Sequence, residues 1–160
     1  MSYKITDDLA AAMLTAFKTE IDAGFLFLFS GAVPATPDLA LDMVTIHTQL
    51  AKLSVDDDGV TGLTFAAASG AVISKDADVW EGTILFDGFE DAETTLTPTF
   101  FRFCAAGDTG RTLASTPRLQ GTVGGPASTA DLRLATDDVT ANGTNTVSAA
   151  MFNFRVSGLG

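Results

Sequence analysis

The chain has 160 residues, of which 46% are hydrophobic and only 18% charged, with a net charge of −11. That length fits a single domain over 1–160, able to bury about two-thirds of the surface its unfolded chain exposes, and the sparse charge with abundant Phe excludes disorder. The acidity, and basic residues scattered from Lys4 to Arg155 with no run among them, exclude direct binding to a nucleic-acid backbone and disfavour an anionic membrane.

The start of the chain carries a helix, predicted at about 6–23. Thr6 or Asp7 caps the free N–H groups of the first turn, and Asp7 and Asp8 suit the positive end of the helix dipole. Leu9, Met13, Phe17 and Ile21 recur every fourth residue, with Ala10, Leu14 and Ala16 widening the stripe. Lys18 and Asp22 pair one turn apart, and Gly24 is expected to supply the left-handed stop. The reading is therefore a helical arm or cap over 1–24 and an all-β body over 25–160.

The body opens on Phe25-Leu-Phe-Leu-Phe29, a buried strand cut off by Ser30-Gly31. Val33-Pro-Ala-Thr-Pro37 reads as a loop, because each proline removes a ladder donor. Residues 43–55 alternate as a strand, with Val44, Ile46, Thr48 and Leu50 on one face and Thr45, His47, Gln49 and Ala51 on the other. Asp56-Asp-Asp-Gly59 is a turn. Strands are predicted at 63–67, 71–74 and 80–86, an acidic exposed loop at 90–95, and strands at 99–104, 119–123, 130–135 and 147–157. Ala150, Phe152, Phe154 and Val156 of the last strand are expected inward, Asn153 and Arg155 outward. Asp87-Gly88 and Asn142-Gly143 read as turns. Short strands with Gly and Pro turns between them give a mainly β fold, a β-sandwich or jelly roll, with a closed barrel as the rival.

The residues offer no reactive constellation. His47 is the one imidazole and Cys104 the one thiol, too few for a zinc site, and no Ser sits in a nucleophile elbow. Without a second cysteine no intrachain disulfide forms, so packing holds the fold, and Cys104 is expected to be buried and inert. His47 is expected on the solvated face of its strand. Asp56-Asp-Asp-Gly59 resembles a calcium loop only superficially: the register makes Ser54 first and Phe65 twelfth, where a bidentate Glu is needed. The acidic pairs at 56–58, 90–93 and 137–138 sit in polar, turn-like sequence rather than across an apolar cleft. Gly121, Gly124 and Gly125 open no helix and cradle no phosphate. Trp80 and Tyr3 are the only amphipathic aromatics that could stack on a sugar. The expectation is a non-enzyme with no catalytic, cofactor or metal residues.

Phe100, Phe101 and Phe103 place aromatic rings on both faces of one strand, so both faces must be covered. One cover is the core, and the other is expected to be the N-terminal helix or a neighbouring subunit. No apolar stretch follows a basic one at the start, and 25–29 is far too short to span a bilayer. The expected product is soluble and made in a cytoplasm.

The order of several segments resembles small structural proteins of tailed bacteriophages. They are Gly24-Phe-Leu-Phe-Leu-Phe-Ser-Gly31 with Pro34-Ala-Thr-Pro37-Asp38, then Ala67-Ala-Ser-Gly-Ala-Val-Ile73 and Phe100-Phe-Arg102. Gln120-Gly-Thr-Val-Gly124, Asp131-Leu-Arg-Leu134 and Phe152-Asn-Phe-Arg-Val156 complete the set. The likeness spans about 9–157, and the long acidic insert between Trp80 and Thr97 departs from it. What the resemblance implies is a virion β-sandwich without catalytic residues, similar to the capsid decoration, or cement, proteins. Such a protein would sit on the capsid exterior as a homotrimer, with the major capsid protein as partner. A tail tube, tip or fibre-associated subunit is the alternative, and a carbohydrate-binding β-sandwich a remote one.

Overall fold

The computed structural model describes residues 4–87, 95–135, 139–140 and 146–155. One helix, α1 (Asp7–Ile21), precedes the strands β1 (Phe25–Ser30), β2 (Thr48–Val55), β3 (Val72–Ser74), β4 (Trp80–Asp87) and β5 (Thr95–Leu96). Then follow β6 (Phe100–Cys104), β7 (Arg118–Gly124), β8 (Leu132–Leu134), β9 (Val139–Thr140) and β10 (Thr146–Arg155). None of the helices among the described residues is long and apolar enough to cross a membrane.

The helix begins as its sequence dictates: Thr6 Oγ1 accepts the Leu9 N–H at 3.3 Å, and Asp7 and Asp8 lie in the first turn. Its buried stripe is rotated from the expected one. Ala10, Leu14 and Ile21 are buried, whereas Leu9 and Met13 are each about half exposed. Steps of four, seven and eleven residues return to one face of a 3.6-residue helix; a strict every-fourth row winds away from it. The stop also differs. Ala23, at φ 60°, takes the left-handed conformation, and Gly24 serves close packing instead. A Cβ on Gly24 would lie 2.2 Å from the Cys104 carbonyl oxygen.

Lys18 and Asp22 pair at 2.6 Å, and together they grip one peptide of the body. Lys18 Nζ donates to the Phe65 carbonyl at 2.6 Å, and the Phe65 N–H donates to Asp22 Oδ1 at 2.9 Å. The ion pair thus ties the helix to the body.

Strands β10, β4, β2, β1, β6, β7 and β8 pair in that order, and β8 pairs back onto β10, closing a seven-stranded ring, with β3 added along β10. Neighbours run antiparallel except at the brief parallel contact of β7 with β8. A mainly β body with one N-terminal helix matches the sequence reading, and the closed ring is a more particular arrangement than two facing sheets. Strands β5 and β9 form a separate two-stranded ladder that the sequence reading left out.

The ring is filled by Leu26 and Leu28 of β1, Leu50 and Leu53 of β2, Phe101 and Phe103 of β6 and Phe152 of β10, all essentially buried. Trp80, Phe65, Phe103 and Phe152 meet ring to ring, with centroids 4.9 to 5.9 Å apart. Leu14 and Ile21 of the helix join this cluster, and Phe17 stacks on Phe154 at 4.8 Å.

Three strand expectations are corrected. Residues 43–46 form a turn, so β2 begins at Thr48 and leaves Val44 92% exposed. Asp42 is the cause: its carboxylate accepts the N–H groups of Val44 and Thr45, each at 3.0 Å, which offers the backbone an alternative to the ladder. Residues 63–67 make isolated bridges, Leu63 to Gly24 and Phe65 to Lys75, rather than a strand. In β10 the register slips between Ala149 and Met151, so Ala149 is buried and Ala150 exposed, the reverse of simple alternation. Val156, residues 90–94, the Asp137-Asp138 pair, Tyr3, Gly88 and the Asn142-Gly143 turn lie outside the described residues.

Gly24→Ala is expected to lower stability by about 2 kcal/mol, since backbone rather than a flexible side chain blocks the new methyl. Ala23→Gly is expected to be neutral or stabilising by up to about 1 kcal/mol, because it relieves a left-handed alanine. Urea unfolding of the pair reads both, and a stable Gly24→Ala variant would contradict the assignment of roles.

Candidate functional site

The outer face of β1 and β6 is as buried as the inner one. Phe27, Phe29, Phe100, Arg102 and Cys104 point away from the ring interior, and none is more than 5% exposed. Their cover is neither the helix nor a neighbouring subunit. It is the chain itself: the proline-rich segment 31–47, which brings in Leu41 and Met43, and the segment 105–117. The doubly apolar strand therefore marks an intrachain layer, which corrects the expectation of an assembly contact there.

A loop interrupted by prolines makes no ladder, so its buried carbonyls need donors from elsewhere. Three strand side chains supply them. Arg102 donates to the carbonyls of Thr36 (3.4 Å), Leu39 (2.8 Å) and Gly110 (2.5 Å), and through Nε to Gln120 Oε1 (3.0 Å). Gln120 Nε2 donates to the Pro34 carbonyl at 2.8 Å, and Arg118 Nη1 reaches those of Pro37 at 3.2 Å and Thr112 at 2.7 Å. Guanidinium groups suit the task, because their several donors are held in a fixed plane.

Arg118 also forms a two-pronged ion pair with Asp108, at 2.5 and 2.7 Å, with both side chains nearly inaccessible. Burial alone would raise the Asp108 carboxyl, but Arg118, the Gly110 N–H and the Thr116 hydroxyl outweigh it and hold it at about 2. The bond to Asp108 raises Arg118. Burial lowers Arg102, whose contacts are carbonyls and an amide rather than a carboxylate. Burial, with the charge of Asp108, pushes the Cys104 thiol up to about 12, which makes it a packing group and a poor nucleophile.

His47 belongs to this layer and not to a solvated strand face. The Asp42 N–H donates to His47 Nδ1 at 3.1 Å, and Nε2 pairs with the Ala32 carbonyl at 2.8 Å, so the ring pins one end of the loop to the other. Its edge packs on Phe100, with centroids 5.8 Å apart. The two covering segments are laced together by Leu41 N–H to the Arg111 carbonyl (2.7 Å) and Ala114 N–H to the Asp38 carbonyl (2.9 Å). This lacing brings Leu39 and Leu113 to a common surface, and the His47 bond does the same for Val33 and Ile46. The outward side carries Val33, Leu39, Val44, Ile46 and Leu113, between 46% and 92% exposed. The result is an apolar platform carried on a polar, internally bonded support.

The other candidates resolve into structural parts. Asp56 and Asp57, at φ 49° and 55°, form the predicted turn. Asp57 accepts the Thr83 N–H at 2.8 Å, and Asp58 accepts those of Val60 and Thr61 and bonds the Thr61 hydroxyl. Hydrogen bonding, first from the Thr61 side chain, lowers Asp58; Thr45 does the same for Asp42. These carboxylates are thus engaged by amides and hydroxyls of their own turns. Asp42-Met-Val-Thr45 and Asp58-Gly-Val-Thr61 adopt the same closure, each leaving its valine outward, a sequence signal that strand alternation masks. Trp80 is fully buried and its Nε1 donates to Asp76 at 3.3 Å, so it is core and not a sugar platform. Gly121 lies within β7, where a Cβ would meet the Phe101 ring at 2.7 Å.

Comparison with protein-family models, curated proteins and solved structures returns no match to this chain.

Because the Asp108 carboxyl is lower folded than its ordinary 3.8, the stability it contributes is present above that value and is lost as pH falls towards about 2. Asp108→Asn is expected to cost about 3 kcal/mol at neutral pH by stranding Arg118. It should also remove most of the difference in Tm between pH 4 and pH 2 that the parent shows. An unchanged acid slope in the variant would refute the assignment.

Proposed function

We propose that this chain is a structural protein of a phage virion, a capsid decoration protein that binds the outside of the head and bridges neighbouring capsid subunits. The observation that carries the reading is the platform: five large apolar side chains displayed on loops that buried Arg102, Arg118 and His47 hold in one shape. Fixing a contact surface before binding removes much of the ordering cost of association. The order of segments that resembles phage virion proteins agrees with it. So does the flattened ring, whose opposite walls pack face to face like the layers of a sandwich.

In this role the protein runs no reaction. Each copy makes a modest apolar contact with the major capsid protein, and many copies, grouped as homotrimers, add up to high avidity. The net charge of −11 favours basic patches on the capsid exterior and keeps the protein from the packaged nucleic acid. Load is carried by the seven-stranded ring, whose closure leaves few free edges to peel.

Co-sedimentation with expanded heads tests the reading, with precursor heads and isolated tails as comparison. The expectation is binding to expanded heads alone. Val44→Glu and Leu113→Glu should each change stability by less than about 0.5 kcal/mol, since both side chains are largely exposed, yet together abolish co-sedimentation. Binding confined to tails, or head binding that survives the double variant, would overturn it.

A further inference from the structure

The ring is incomplete on one side. Strand β8 has three residues and pairs with β7 only at Val123 and Gly124, while β10 pairs with it only from Ala149 to Phe152. Beyond β8, the first half of β7 and the last residues of β10 face each other across a gap. A cavity of about 270 Å³ lies there, floored by Phe101, Phe152 and Phe154 and edged by Gln120, Asn153 and Arg155. The core shows through it. Every residue of β7 retains some exposure, even Leu119 and Val123, which pack on the central cluster.

Both walls of the gap are unused ladder edges. The Val123 N–H donates to the Thr99 carbonyl, so the odd residues of β7 turn their main-chain groups towards β6, and Arg118, Gln120 and Thr122 turn theirs to the gap. The Thr122 N–H is taken by Asp131 at 2.9 Å, but Gln120 and Arg118 have no strand partner on that edge among the described residues. On β10, the Phe152 carbonyl accepts the Lys75 N–H, which directs Phe152 and Phe154 towards β3 and leaves Asn153 and Arg155 facing the gap. Two free edges around an aromatic floor match an extended peptide. The cavity lies below the range of about 300–1,000 Å³ that holds drug-sized ligands.

We infer that this gap is a strand-insertion site for an extended segment of a partner protein. The segment pairs with Gln120 on one side and Asn153 on the other, lays an apolar side chain over Phe101 and Phe152, and carries basic flanking residues. Main-chain bonds supply affinity and the cavity supplies selectivity for alternate side chains. The basic character follows from the net charge of −11, which attracts such a segment and repels a second copy of this chain. The inference stands apart from the head-binding role, and its test needs no virion.

The probes are capped peptides of about eight residues that alternate Thr or Lys with Val, Leu or Phe, titrated by fluorescence anisotropy with the full chain. At least one is expected to bind and to slow hydrogen exchange at the Gln120 and Asn153 amides. The same peptide N-methylated at alternate residues, so that two ladder donors are lost and the side chains remain, should bind at least about tenfold more weakly. Asn153→Pro, which removes a gap-facing donor on an exposed residue, should weaken binding with the circular dichroism unchanged. The N-methylated peptide decides the matter if that variant does not fold. Failure of every peptide to bind, equal binding of the methylated form, or protection at Val44 and Leu113 instead would overturn the inference. So would sedimentation showing that the gap is filled by a second copy.

Discussion

Much of this molecule depends on how a proline-rich loop is satisfied when it lies over a sheet. Segment 31–47 covers the outer phenylalanines of β1 and β6, and its prolines prevent it from joining the ladder. Its carbonyls are met instead by Arg102, Arg118 and Gln120, which stand on the same strands the loop covers. A buried guanidinium with no carboxylate in contact is costly to desolvate. Here the carbonyls of two loops form its solvation shell, so removing either loop or arginine would strand the other. The loop layer and the sheet stabilise each other, and the surface they present is fixed as a consequence.

The second organising constraint is the way the ring is tied to its helix. Phe65 sits at the junction. Its ring touches Phe17, Trp80, Phe103 and Phe152, while its peptide is gripped by Lys18 and Asp22. One residue thus couples apolar packing in the ring to an ion pair on the helix. Gly24 permits the close approach of the helix end to β6, and the left-handed Ala23 sets the direction of the chain into β1.

Local chemistry made the helix legible, from its cap at Thr6 to the Lys18–Asp22 pair, and the Phe-Leu run made β1 legible. The rotated helix stripe was not, because Leu9 and Met13 are as apolar as the residues that are buried. The start of β2 was obscured by Val44, Thr45 and Ile46, whose β-propensity lost to the Asp42 side chain. Ala149 and Ala150 cannot be told apart by composition, and only the bulge decides which is buried. The platform was half legible: phenylalanines of both parities announced a second cover, but its source is set by tertiary contacts. An arginine amid phenylalanines, with a proline-rich loop elsewhere in the chain, was the available sign that Arg102 would be buried.

The ring is closed by β10, which bonds to β3, β4 and β8. Until this strand leaves the ribosome, β4 and β8 expose edges that only it completes, and β1 must wait for β6, some seventy residues downstream. Closing loops of that span makes folding slow and keeps nascent chains vulnerable to mispairing. The strong acidity of the chain has a part to play during that interval, since mutual repulsion keeps half-made barrels on neighbouring ribosomes from zipping onto one another.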